Sequence, residues 1–148
     1  MLVWGAISYD GVGPLARVDT TLDAEGYLHI IRYRIGKYYP RLYTGDMLFQ
    51  QDNARPHTAG LVREWFDKKG IETLGWPSQS PDMNIIEDVW GLMKFKLKGK
   101  VFEDIEEMWK EIKKCWKSIS LQQIRNLYDS LPRRMEALES VKCPNNKR

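Results

Sequence analysis

An α/β fold is predicted by three observations. The chain opens on strand formers punctuated by turn residues, its first half then alternates helical apolar stripes with short apolar runs, and its second half holds three helical stripes with no strand signal. With 148 residues, 43% of them hydrophobic and 11% aromatic, there is material for one domain with its own core.

The elements follow in order. "LVWGAIS" is rich in strand formers, "YDGVGP" is turn chemistry and "LARVD" alternates apolar with polar, which together predict a hairpin. Asp23 is placed to cap a helix carrying Tyr27, Ile31, Ile35 and Tyr38 at helical spacing, and Pro40 ends it. "DMLFQQ" predicts a short strand closed by "DNARPH", where Pro56 suits a first helical position. A helix with Leu61, Val62, Trp65 and Phe66 on one face then stops at Gly70. "IETL" predicts another short strand. The remaining stripes are Ile86, Val89, Trp90, Met93 and Leu97; then Ile105, Met108, Trp109, Ile112, Trp116 and Ile119; then Leu121, Ile124, Tyr128 and Leu131, interrupted at Pro132. The order is two strands, helix, strand, helix, strand and three helices. "VKCPNNKR" reads as a loose tail.

Composition narrows the classes of function. Lys plus Arg number 23 against 20 Asp plus Glu, a net charge of +3 that permits a nucleic-acid partner without requiring one. Cys115 and Cys143 stand far apart with no CxxC spacing and no His cluster, so neither a disulfide framework nor a zinc site is suggested, and a reducing compartment is the simpler reading. The apolar start lacks a basic lead, and there is no uninterrupted apolar run of about 18 residues, so neither secretion nor a membrane partner is expected.

Two acids sit where chemistry would put them. Asp52 follows a predicted strand and Glu87 lies in the first turn of a predicted helix after another, positions from which α/β proteins present ligands. Their carboxylate oxygens suit divalent-metal phosphoryl transfer, because Mg²⁺ favours hard oxygen ligands and keeps positions open for phosphate and water. A structural reading competes: Asn84 and Glu87 have the spacing of a capping box, Ser80–Pro81 is a common helix start, and Asp52–Asn53 is ordinary turn chemistry. Spacing alone favours the structural reading.

The segments "VWGAIS", "FQQDNARPHTA" and "WPSQSPDMNIIEDVW" resemble the catalytic region of Tc/mariner superfamily transposases, and the resemblance extends from about residue 2 to about residue 138, through "LPRRMEAL". The 34 residues between Asp52 and Glu87 match the Tc branch, whose third acid is Glu. The resemblance implies an RNase H-like fold, a site for two Mg²⁺ or Mn²⁺ ions, nicking at transposon ends and joining of the freed 3′-hydroxyl to target DNA. It casts Asp52 as the second catalytic acid and Glu87 as the third, both as metal ligands, and implies a nuclear location with possible self-association. Ile85 departs from the family's usual Pro. The family's first Asp lies on a strand upstream of "VWG" and is absent from these residues; Asp10 and Asp19, on the hairpin's turn and closing edge, are poorly placed to replace it. The expectation is therefore an incomplete RNase H-like α/β fold, its first, central strand absent, with a helical C-terminal portion. Residues 1–140 would form a partial DDE catalytic domain, inactive alone, and residues 141–148 a flexible tail.

For DNA, Arg55 beside Asp52 and Lys94, Lys96 and Lys98 of "GLMKFKLKGK" are candidate phosphate contacts, although a lysine-rich helix is as readily a solvated face. His57 is expected to begin a helix and order the acid loop. Trp65, Trp90, Trp109 and Trp116 fall at core spacings, and Trp76 is a candidate for shaping the loop before Glu87. Two rivals stand beside the enzyme reading: a noncatalytic nucleic-acid-binding or interaction module, and a decayed reading frame.

Overall fold

The computed structural model describes residues 1–19, 21–75 and 81–142. It separates into two compact units, one of Met1–Ala6 with Gly13–Ser80 and the other of Ile7–Val12 with Pro81–Arg148.

Strands β1 (Leu2–Ser8) and β2 (Gly11–Val18) form the expected hairpin as a two-stranded sheet, whose residues up to Ala6 and from Gly13 belong to the first unit. β2 begins earlier than the alternation suggested, taking in Gly13 and Pro14. Gly13 is required there, because a Cβ would lie 1.8 Å from the Tyr39 hydroxyl and 2.8 Å from the Ala6 carbonyl. Helix α1 (Ala24–Tyr38) starts as expected, with Asp23 Oδ1 accepting from the Gly26 amide at 2.8 Å. Its four-residue repeat places Tyr27, Ile31 and Ile35 in the core, and Pro40 ends it by opening a 3-10 turn, Pro40–Thr44, that brings in Leu42. After the single turn α2 (Arg55–Thr58), helix α3 (Gly60–Lys69) contributes Val62, Trp65 and Phe66 and ends at Gly70, whose φ of 65° needs no side-chain accommodation. These residues with Ile71 form one cluster, and burying each large apolar side chain is worth about 1.5–3 kcal/mol.

The strands expected at "DMLFQQ" and "IETL" shrink to one parallel bridge, Phe49 to Thr73. The Phe49 amide donates to the Glu72 carbonyl at 2.9 Å and the Leu74 amide to the Phe49 carbonyl at 2.8 Å. Leu48 and Leu74 beside the bridge are 53% and 40% exposed, so no burial rewards a longer ladder. Leu61, at the edge of the α3 stripe, and Tyr38, in the last turn of α1, are likewise exposed.

The second unit holds α4 (Ile86–Leu97), α5 (Ile105–Lys117), α6 (Leu121–Asp129) and α7 (Leu131–Lys142), with the hairpin tip. Met83, Ile85, Val89, Met93, Ile112, Cys115, Trp116, Ile119 and Ile124 are buried, while Ile105 and Leu121, each the first residue of its helix, are not. Trp90 stacks on Trp116 with ring centroids 5.2 Å apart, and Lys113 lies over Trp109. Burial pushes the Cys115 thiol up from its usual range, in keeping with a packing role. Tyr128 donates to the Ile7 carbonyl, and Arg125 reaches the Tyr9 carbonyl across the Tyr9 ring. Burial, with Asp10 adding to it, pushes the Tyr128 hydroxyl to about 12.

Pro132 does more than interrupt a stripe. Standing in the first turn of α7, where its missing amide costs nothing, it opens a fourth helix that the apolar pattern had not revealed. The first two residues of the expected tail, Val141 and Lys142, belong to this helix; Trp76, Pro77, Ser80 and Cys143 lie outside the described residues. No helix among the described residues is long and apolar enough to cross a membrane.

Candidate functional site

Asp52 lies three residues past the Phe49 bridge, on the loop that leads into α2. Its Oδ1 accepts from the Ala54 amide at 3.0 Å, closing an Asx turn, and meets His57 Nδ1 at 2.5 Å. With Asp52 ionised, Nδ1 carries the proton and donates. Both bonds go to one oxygen, and Oδ2 accepts none among the described residues. Half of the Asp52 side chain is exposed, whereas that of His57 is only 17% exposed.

His57 is fixed from the core side. Its ring packs against Tyr27 with centroids 4.1 Å apart, the Tyr27 hydroxyl donates to Gln51 Oε1 at 2.6 Å, and Gln51 Nε2 donates to the His57 carbonyl at 3.0 Å. Burial, reinforced by the negative charge of Asp52, raises the Tyr27 hydroxyl far above the usual phenol range, which keeps it a neutral donor. His57 therefore orders the acid loop as expected, and it does so through Tyr27 and Gln51, two residues the sequence had suggested only as core and strand.

Glu87 lies in the second unit, in the first turn of α4. The capping box that competed for it does not form: the N-cap is Ile85 and no side chain caps the helix. The 3-10 turn Pro81–Met83 runs almost directly into α4, so Asn84 contributes its carbonyl, to the Glu87 amide at 2.9 Å, and not its side chain. The Glu87 carboxylate is exposed and accepts no hydrogen bond among the described residues. Ile85, the departure from the family's Pro, has φ −62°, within the range proline imposes, so the backbone entering α4 is one that either residue can adopt. The neighbouring acid behaves differently: Asp88 pairs with Arg134 of α7 at 2.9 Å.

Asp52 and Glu87 thus fall in different units, and each is placed only within its own. Among the described residues no group of three or more Asp, Glu, His or Cys side chains is gathered as a metal cage. In kind the donors fit a hard cation, since each acid offers an accessible carboxylate oxygen with no competing hydrogen bond. Asp10 and Asp19 remain on the hairpin turn and its closing edge, with Asp19 bound to Arg17 at 2.7 Å.

Of the candidate phosphate contacts, Arg55 opens α2 and is exposed with no side-chain partner among the described residues. Lys94 and Lys98 are also exposed, beside Phe95, which is 78% exposed. Lys96 donates to Ser118 at 2.8 Å, and Lys100 is held by Glu111 at 2.8 Å.

Comparison with known proteins identifies the family and the fold. The family model described as DDE superfamily endonuclease matches residues 1–108. The Tcb1 transposase of Caenorhabditis briggsae is 34% identical over 96% of this chain and 52% of its own length. For the Tc1 transposase of Caenorhabditis elegans the figures are 33%, 93% and 50%. The chain spans about half the length of these curated relatives. Among solved structures, the catalytic domain of Mos1 mariner transposase superposes with a TM-score of 0.79 at 20% identity, over 90% of this chain and 70% of that one. That domain has also been solved with Mn and with Mg. The match over residues 1–108 places this chain in the DDE superfamily endonuclease family, with two strands and helices that share the fold of the Mos1 catalytic domain.

Proposed function

We propose that this chain carries the second and third acids, Asp52 and Glu87, of a DDE site that cuts and joins DNA. The observation that carries the reading is that both carboxylates keep an oxygen unengaged: Glu87 is released from the capping role that its spacing suggested, and Asp52 is held at Oδ1 alone. Oxygen atoms that the fold leaves accessible are what a divalent cation needs.

Asp52 and Glu87 would be ligands of Mg²⁺ or Mn²⁺, which when bound supply charge stabilisation at the attacking and leaving oxygens of an in-line displacement. His57, Gln51 and Tyr27 keep Asp52 in one orientation, limiting the rearrangement needed on binding. Arg55, Lys94 and Lys98 have the exposure that phosphate contacts require, with Lys96 a further candidate once it leaves Ser118. The paired-end complex and the pre-cleavage transpososome solved for Mos1 support transposon-end DNA as a partner; target DNA, self-association and action in the nucleus are further parts of this proposal.

The finer part of the proposal is that these 148 residues, with two of the three acids, do not cleave DNA by themselves. Supercoiled plasmid incubated with the chain and Mn²⁺ should be nicked no faster than with its Asp52→Ala, Glu87→Ala control. Joining a strand that bears an Asp ahead of Met1 should bring Mn²⁺-dependent nicking, lost again with Asp52→Asn or Glu87→Gln. DNA binding without nicking in the extended chain would favour the noncatalytic module instead.

A further inference from the structure

Glu87 is set in a turn that its own helix does not secure. α4 has no side-chain cap, and its opening hydrogen bonds, Glu87 amide to Asn84 carbonyl at 2.9 Å and Asp88 amide to Ile85 carbonyl at 3.2 Å, are of the tighter three-residue kind. An uncapped first turn frays unless something else holds it.

That holding comes from α7. Arg134 Nη1 donates to the Asp82 carbonyl at 2.7 Å and to Asp88 Oδ2 at 2.9 Å, while its Nε donates to Ser130 Oγ at 2.9 Å. Ser130 is itself tied back, its hydroxyl donating to the Leu127 carbonyl at 2.6 Å. One guanidinium therefore bridges the residue that precedes the entry to α4 by a turn and the residue directly after Glu87. Ile85 and Val89 flank this turn and are buried, while Glu87 between them is exposed and the neighbouring Asp88 is engaged by Arg134.

We propose that Arg134 is a positioning residue for Glu87, fixing from α7 the turn that presents the carboxylate. The inference rests on Glu87 being a metal ligand as proposed above. A planar, rigid fork suits the task because three acceptors in different directions, a carbonyl, a carboxylate and a hydroxyl, are met by one group. A lysine ammonium at the end of a flexible stem cannot hold the same three at once. Among the described residues no other side chain bonds to both the Pro81–Met83 turn and α4.

The test uses the 148-residue chain, comparing the parent with Arg134→Gln, Arg134→Lys and Asp88→Asn by amide hydrogen exchange and by the loss of amide signals as Mn²⁺ is added. In Arg134→Gln, exchange at Glu87, Asp88 and Val89 should quicken at least about tenfold, while amides in the middle of α5 change less than about twofold. Arg134→Lys should follow Arg134→Gln, and Asp88→Asn, which keeps an acceptor, should show a smaller change of the same pattern. The Mn²⁺ needed to broaden the Glu87 amide should rise about threefold or more in both Arg134 variants, with Asp52 unaffected. Rescue by lysine, or a uniform quickening across α5 and α6, would overturn the proposal, the latter by showing that Arg134 serves stability in general. If Arg134→Gln does not fold, Arg134→Lys and Asp88→Asn still decide. Should the parent show no Mn²⁺ effect at Glu87, the metal reading fails, and the exchange comparison still answers whether Arg134 orders the turn.

Discussion

Adjacent acids at the start of α4 should separate stability from metal binding. Asp88→Asn removes the charge from the pair with Arg134, whose N···O distance is 2.9 Å with side chains 24% and 40% exposed. A charge-assisted hydrogen bond contributes about 1.5–3 kcal/mol and an exposed ion pair about 0–1, so a half-exposed pair whose acceptor survives as an amide should cost about 1 kcal/mol. In a chain of this size that lowers Tm by about 3 °C. Glu87→Gln loses only the favourable interaction of a first-turn acid with the helix dipole, about 0.5 kcal/mol or less in moderate salt. Its Tm should fall by about 1 °C. Mn²⁺ titration should show the reverse ranking, with Glu87→Gln impaired and Asp88→Asn close to the parent. Thermal melts at two salt concentrations, paired with calorimetric Mn²⁺ titrations, give both rankings from the same samples. If Glu87→Gln destabilises as much as Asp88→Asn while binding Mn²⁺ normally, Glu87 is a structural acid and the reasoning fails.

Ile35→Ala, at a fully buried position of the first unit, should cost about 2–5 kcal/mol in urea unfolding; a cost below 1 kcal/mol would mean that α1 does not anchor this core. Hydrogen bonds from Lys100 and then Lys114 hold the Glu111 carboxyl down to about 2, from a usual value of 4.5. Because the folded state holds this group ionised, its contribution should be complete above about pH 4.5, decline as pH falls from there and vanish near pH 2, so parent and Glu111→Gln melting curves should converge across that window. DNA affinity should be weak and indifferent to sequence. Replacing Lys94 and Lys98 together with Gln should reduce the slope of log affinity against log salt by about 2, whereas Lys100→Gln, whose ammonium is already engaged by Glu111, should leave it nearly unchanged.

What the sequence made legible is what local periodicity governs. Tyr27, Ile31 and Ile35 recur every fourth residue, and Asp23, Pro40 and Gly70 act on their immediate neighbours, so α1 could be read with both ends and α3 with its C-terminal end, but not the break at Ala59 that separates α3 from α2. Short parallel pairing could not, since its length depends on burial contributed by distant segments, and the two apolar runs yielded one bridge. The capping signal misled for a related reason. Asn84 and Glu87 have the right spacing, but the buried residues Met83 and Ile85 draw the preceding turn straight into the helix; the box that forms is Ser120 with Gln123, in "SLQQ", where the Ser hydroxyl accepts from the Gln123 amide at 3.1 Å and Gln123 Oε1 from the Ser120 amide at 2.9 Å. Asp52 and Glu87 stood out as candidates, yet the groups that orient them did not. Tyr27 reaches Gln51 from 24 residues away and Arg134 reaches Asp82 from 52, and no spacing rule links such pairs. The "DNARPH" segment alone hinted at its partner, because Asp52 and His57 are close enough in sequence to meet across a single turn.

The central claim is that Asp52 and Glu87 are metal ligands. It is tested most directly by adding Mn²⁺ to the isotopically labelled chain and following which amide signals disappear. Signals around residues 52 and 87 should be lost first in the parent, and Asp52→Asn with Glu87→Gln should abolish that selective loss while leaving the spectrum otherwise native. A double variant that loses the same signals at the same Mn²⁺ concentration would contradict the claim.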